Sequence, residues 1–159
     1  MSEPGKQSTV EVNKRPIALM GEFPRNLDPK RRLTIPSVWR AALGPDFVYV
    51  LPDVQRGCLR LIPRDTMETR LAELAERALG DPELNEALEK IGSSSEMLEF
   101  DVQGRIRISD KLLAFAHLKG SVVLKGSIRM ATIWPGEEKS SEQMGDLDEL
   151  GAAMKKLNF

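Results

Sequence analysis

The chain has 159 residues, 41% apolar and 30% charged, with a formal net charge of −1. That suits one globular core, or two small lobes sharing one, and excludes a disordered chain. With no apolar run near the roughly 18–20 residues of a membrane span, no secretion signal in MSEPGKQSTV and only Cys58 for disulfides, a cytoplasmic protein is expected.

Residues 1–16 are expected to form a flexible N-terminus. IALMGEF, from Ile17 to Phe23, predicts a short strand, and RLTIP, from Arg32 to Pro36, a second in which Leu33 and Ile35 alternate with polar neighbours. Ser37 is expected to cap a short helix that Gly44 stops. Phe47–Leu51 and Cys58–Pro63 predict a hairpin around the turn PDVQRG. Asp65 and Glu68 have capping-box spacing, and Met67, Leu71, Leu74 and Ala78 recur at helical intervals up to Gly80. Asp81 and Pro82 open a second helix whose stripe is Leu84, Leu88 and Ile91, stopped by Gly92. EMLEFD and GRIRIS predict two more strands, DKLLAFAHLKG another short helix, and SVVLKG with SIRMATIWP a second hairpin. The last 24 residues, from Gly136, are polar, with at most a weak terminal helix.

One odd segment occurs twice, as LDPKRRLTIP (27–36) and FDVQGRIRIS (100–109). At an offset of 73, Asp28 falls on Asp101, Arg32 on Arg105, Leu33 on Ile106 and Ile35 on Ile108. Repeats of this size are units that do not bury their apolar faces alone. Two copies predict a closed pseudo-symmetric pair: a first repeat at 17–63, a helical insert at 64–92, a second repeat at 93–135 and a polar tail at 136–159. The expected class is α+β, mainly β.

Catalytic and metal chemistry lack their usual groups. The only histidine, His117, ends a short helix with no cysteine or second histidine to complete a zinc shell, so a capping or packing role is expected. Cys58, at the start of a hairpin strand, reads as a small hydrophobe. Asp28 and Asp101 are expected to structure their turns by accepting backbone amides or an arginine fork. No enzymatic step, metal or cofactor is expected, and no run of aromatics offers stacking to unpaired bases.

Charge is unevenly spread. From Arg25 to Arg40 five basic residues face one acid, from Arg64 to Lys90 four basic residues face eight acids, and from Gly136 onward three lysines face six. A charge run usually marks a solvated face. Arginines presented twice in related positions also suit duplex DNA, whose phosphates are regularly spaced and whose guanines accept a bidentate guanidinium. On that reading Arg32 and Arg105 hold the turns through Asp28 and Asp101, while Lys30, Arg31, Gln103 and Arg107 reach DNA. A single patch of this size binds weakly, so the reading requires several linked copies.

GEFPRNLDPKRRLTIPSVWR (21–40) and FDVQGRIRISDKLLAFAHLKGSVVLKGSIRMATIW (100–134) resemble the two signatures of the MraZ family, bacterial regulators related to AbrB-type DNA-binding proteins. The resemblance runs from about Leu19 to Pro135. It implies a double AbrB-like swapped-hairpin β-barrel and a homo-oligomeric ring. It further implies binding to double-stranded DNA at promoter direct repeats of the division and cell-wall gene cluster, usually as a repressor and so nucleoid-associated. The motif residues map to Asp28 with Arg32 and to Asp101 with Arg105, and the DNA-facing set becomes Lys30, Arg31, Arg32, Gln103, Arg105 and Arg107. The family's glycine before the motif arginine is kept as Gly104 but replaced by Arg31, which costs about 1 kcal/mol if the position needs positive φ. Ser109 stands where the family has proline, implying a looser start to the second short helix, and KIGSSSEML lacks the family's aromatic-rich stretch. The rival readings are a ring-forming interaction protein that has lost strong DNA recognition, and a toxin-binding antitoxin, against which two complete repeats argue.

Overall fold

The computed structural model describes residues 18–136 and 143–159. The expected flexible N-terminus and the first residue of IALMGEF lie outside the described residues. The elements are β1 (Glu22–Asn26), β2 (Arg32–Thr34), α1 (Ser37–Leu43), β3 (Phe47–Asp53), β4 (Cys58–Ile62), α2 (Arg64–Arg77), α3 (Pro82–Ser94), β5 (Glu96–Glu99), β6 (Arg105–Arg107), α4 (Asp110–Phe115), β7 (Ser121–Gly126), β8 (Ala131–Pro135) and α5 (Gln143–Lys156).

The fold is α+β with antiparallel sheets. Six strands run in the order β1–β7–β8–β4–β3–β5, and β2 pairs with β6 in a separate two-stranded ribbon. Each early strand joins the hairpin of the other segment: β1 pairs with β7, with Phe23 opposite Leu124, and β5 pairs with β3, with Leu98 opposite Val48. The two hairpins meet along β4 and β8, where Leu59 faces Ile133 and Leu61 faces Ala131. This exchange is consistent with the expected swapped-hairpin arrangement.

Period-two alternation decides which side chains go inward. Val48 and Val50 of β3, Val122 and Leu124 of β7, and Leu33 and Ile106 of the ribbon are all fully buried. Helix α1 closes one side of the core through Trp39, whose ring meets Phe23 edge-on at 5.3 Å and whose indole N–H donates to the Met20 carbonyl at 2.8 Å. That bond satisfies the one polar atom that burial of the indole would otherwise strand.

Helix ends depart from several local expectations. Ser37 does not cap α1: Pro36 occupies the N-cap position, with φ −54° and ψ 133°, so Ser37 is already helical. Asp65 and Glu68 form no capping box either, since Pro63 precedes the helix and Glu68 pairs with Arg64 at 3.1 Å. Asp81 does cap α3, accepting from the Glu83 and Leu84 amides at 3.1 and 3.2 Å. That helix runs through Gly92 to Ser94 instead of stopping there, and its stripe is only half covered, with Ile91 at 41% exposure. DKLLAFAHLKG is helical only over α4, because the His117 backbone turns left-handed at φ +55° and the Leu118 amide donates back to the Leu113 carbonyl at 2.9 Å. His117 is thus an exposed cap of the left-handed kind. Cys58 is fully buried, and burial followed by the Asp53 charge pushes its thiol upward. The expected polar tail holds α5.

Candidate nucleic-acid interface

Two turns of the same design flank the β2–β6 ribbon. In the first, Asp28 Oδ1 accepts the amides of Lys30 and Arg32 at 2.9 and 2.8 Å, and Oδ2 accepts Arg32 Nε at 2.6 Å. In the second, Asp101 Oδ1 accepts the amides of Gln103 and Arg105 at 2.9 Å each, and Oδ2 accepts Arg105 Nε at 2.7 Å. The Arg31 and Gly104 amides close the loops onto the carbonyls of Asp28 and Asp101 at 2.8 and 3.0 Å. Each aspartate thereby replaces water around several orphan donors, which is why an acid with an arginine four residues on recurs. Both carboxyls are held below the ordinary carboxylate range, first by the backbone N–H of Arg32 or Arg105 and further by the guanidinium of that same arginine.

The turns are also tied to each other. Arg31 and Gly104 have φ of +63° and +81°. Their carbonyls accept the amides of Ile108 and Ile35 at 3.0 and 3.1 Å, each from the other segment. Arg105 Nη1 reaches Asp28 Oδ2 at 3.9 Å, linking the two aspartate–arginine pairs across the ribbon.

The ribbon's register places Arg32 opposite Arg107, Leu33 opposite Ile106 and Thr34 opposite Arg105. Opposed residues share a face, and faces alternate along a strand. Since Leu33 and Ile106 are fully buried, the other face carries Arg32, Thr34, Arg105 and Arg107 together. Two like charges directly opposed, such as Arg32 and Arg107, weaken a strand pair; here Asp28 offsets Arg32, and Arg107 makes no ion pair among the described residues. Lys30 and Gln103 are exposed at the two turn tips.

Three features escaped the local sequence pattern. Thr34 stands on the arginine face, and the same offset of 73 that pairs the repeats places it on Arg107. Arg31, expected to be free, pairs through Nε with Asp110 Oδ1 at 2.7 Å. Arg40, counted in the basic stretch, does not join the surface: its guanidinium lies 4.5 Å over the Phe100 ring, its Nε is buried without a partner, and a Cβ on Gly104 would collide with its Nη1. Glycine at 104 therefore serves both the left-handed backbone and the space that Arg40 occupies.

The transcriptional regulator MraZ of Limosilactobacillus fermentum is 32% identical over 153 residues, covering 88% of this chain and 99% of its own. The chain belongs to the MraZ family. MraZ of Leuconostoc mesenteroides is 30% identical over 138 residues, with 85% and 95% coverage, and that of Caulobacter vibrioides is 30% identical over 138 residues, with 84% and 88%. No family model matches the chain. Each of these relatives is a transcriptional regulator by name. Among the described residues no group of three or more His, Cys, Asp and Glu is placed to hold a metal, and no helix is long and apolar enough to cross a membrane. Two of the three departures from the MraZ signatures, Arg31 and Ser109, have a local explanation, and nothing in the structure explains the loss of the aromatic-rich stretch at KIGSSSEML. Arg31 adopts the positive φ that glycine favours, and its side chain takes Asp110 as partner. Ser109 does not loosen α4: its Oγ accepts the Leu112 amide at 3.3 Å and donates to Glu96 Oε2 at 2.8 Å, so a cap replaces the proline.

Proposed function

We propose that the chain is a homo-oligomeric transcriptional regulator that binds double-stranded DNA sequence-selectively through the β2–β6 ribbon. The observation that carries this reading is the shared outer face of Arg32, Thr34, Arg105 and Arg107. The major groove admits a two-stranded ribbon, and arginine pairs with the guanine edge through two hydrogen bonds. Arg107 is the base-reading candidate, Lys30 and Gln103 are the turn-tip contacts, and Arg32 and Arg105 present the outer nitrogens left over from their aspartate pairs. Arg31 contributes charge from the ion pair with Asp110. Asp28, Asp101 and Gly104 structure the turns.

The same reading divides the chain into 17–63, 64–92 and 93–135, with the outer two parts as repeats closing a swapped-hairpin β-barrel. A net charge of −1 gives no general attraction to DNA, so affinity rests on several ribbons, arrayed in a ring, meeting successive repeats of a promoter at high effective concentration. Kinship with MraZ directs the choice of promoter to the division and cell-wall gene cluster, with repression as the mode and a cytoplasmic, nucleoid-associated location. The second reading, a ring-forming interaction protein without strong DNA recognition, is favoured by the pairing of Arg31, Arg32 and Arg105 with aspartates.

Fluorescence anisotropy with the chain's own upstream promoter duplex and a scrambled duplex tests the proposal. The promoter should be preferred, and Arg107→Ala should lower that preference by about 5- to 150-fold, the range of one good base contact at 1–3 kcal/mol. Equal binding of both duplexes by the wild-type protein transfers the case to the second reading.

A further inference from the structure

Helix α5 has an apolar stripe that nothing covers among the described residues. Every residue from Leu147 to Phe159 is exposed, with Leu147 at 62%, Leu150 at 54%, Met154 at 41% and Leu157 at 74%. The spacing of three, four and three is that of a coiled-coil seam, and Gly151 and Ala153 keep its middle narrow. The helix ends in a defined cap: Asn158 has φ +55°, and the Asn158 and Phe159 amides donate back to the Lys155 and Met154 carbonyls at 3.1 and 2.8 Å. A 14-residue helix standing alone is marginal in water, so a capped and apolar-striped one calls for a partner.

The sequence around Ala152 reads as a charge-inverted palindrome. Leu147 mirrors Leu157, Leu150 mirrors Met154, Asp148 mirrors Lys156 and Glu149 mirrors Lys155. We propose that α5 pairs antiparallel with α5 of a second copy of this chain, about a two-fold axis at the level of Ala152. In that register Leu147 meets Leu157 of the other copy, Leu150 meets Met154, and the acidic half of each helix lies along the lysine half of its partner. A parallel pair would set acids beside acids and lysines beside lysines. Gly151 and Ala153 flank the seam and the charged residues lie further round each helix, so their complementarity biases the direction at longer range, aided by opposed helix dipoles, while the apolar residues supply the contact.

A seam of four side chains per helix falls short of the roughly 1,200–2,000 Å² of a self-standing interface. Pairing of α5 therefore adds to association and does not found it, and it is separable from the DNA-binding reading. Its register is read directly by disulfide trapping in the full-length chain. Residues 147 and 157 of one helix are about 15 Å apart along the axis. Leu147→Cys mixed with Leu157→Cys should give linked heterodimers under mild oxidation, with neither variant linking to itself. Self-linking of Leu147→Cys, or no linking in the mixture, overturns the proposal. Because those variants remove part of the seam, a second measurement leaves it whole. Lys155→Glu with Lys156→Glu should reduce assembly mass in light scattering at low ionic strength, and adding Asp148→Lys and Glu149→Lys to the same chain should restore it. Failure to restore the mass also overturns the pairing, whether the stripe then takes another protein's helix or no partner.

Discussion

Arg31→Gly and Arg31→Ala remove the same side chain and differ only in backbone freedom, so their comparison isolates the left-handed turn. Residue 31 has φ +63°, and a Cβ in that region costs roughly 1–2 kcal/mol. Glycine escapes this but gives the unfolded chain more freedom, offsetting about 0.4–1 kcal/mol. The glycine variant should therefore be more stable than the alanine variant by about 1 kcal/mol, or roughly 2–4 °C in Tm for a domain of this length. Both lose the Asp110 ion pair, whose side chains are 45% and 77% exposed, and an exposed pair contributes only about 0.2–1 kcal/mol. Arg31→Ala should thus be the least stable of the three proteins. The assay is thermal unfolding at matched chain concentration, because self-association makes Tm concentration-dependent. The two variants should also bind promoter DNA alike, since neither carries the guanidinium. An alanine variant as stable as the glycine variant would refute the backbone argument.

Gly104→Ala should lose about 2 kcal/mol by combining the cost of a Cβ at φ +81° with displacement of Arg40 from Phe100. Adding Arg40→Leu should recover part of that loss, and strict additivity in the double-mutant cycle would contradict the contact. The Asp28 and Asp101 carboxyls are held below their ordinary value of 3.8, so the stability they contribute is present above that value and lost as pH falls through the folded-state pKa. Asp101→Asn should therefore be less stable than wild type at neutral pH, with the two melting curves converging below about pH 4; a gap that persists in acid would place the effect elsewhere.

Much of the fold was legible where alternation and turn residues coincide. SVVLKG forms β7 over its full length, and Leu33 and Ile106 point inward as their periodicity requires. The Asp28 and Asp101 turns were legible too, because a carboxylate accepting amides two and four residues ahead is a local interaction. Helix starts misled, since proline displaced the cap at Ser37 and preceded the expected box at Asp65. Beyond that, the site depends on contacts between distant segments. Nothing near Arg31 announces Asp110 as its partner, and nothing near Arg40 announces Phe100. These pairings arise only once strand exchange brings the two segments together, and they decide which cations remain on the surface. Thr34 was the nearer miss, because the repeat offset by itself sets it on Arg107.

The ribbon's place on DNA is most directly measured by the salt dependence of promoter binding, comparing wild type with Lys30→Ala combined with Arg107→Ala. If Lys30 and Arg107 lie against the duplex, the plot of log K against log salt should be shallower for the variant, by about 0.9 for each phosphate that is no longer neutralised. Identical slopes for the two proteins would mean that the arginine face of the β2–β6 ribbon does not touch the duplex.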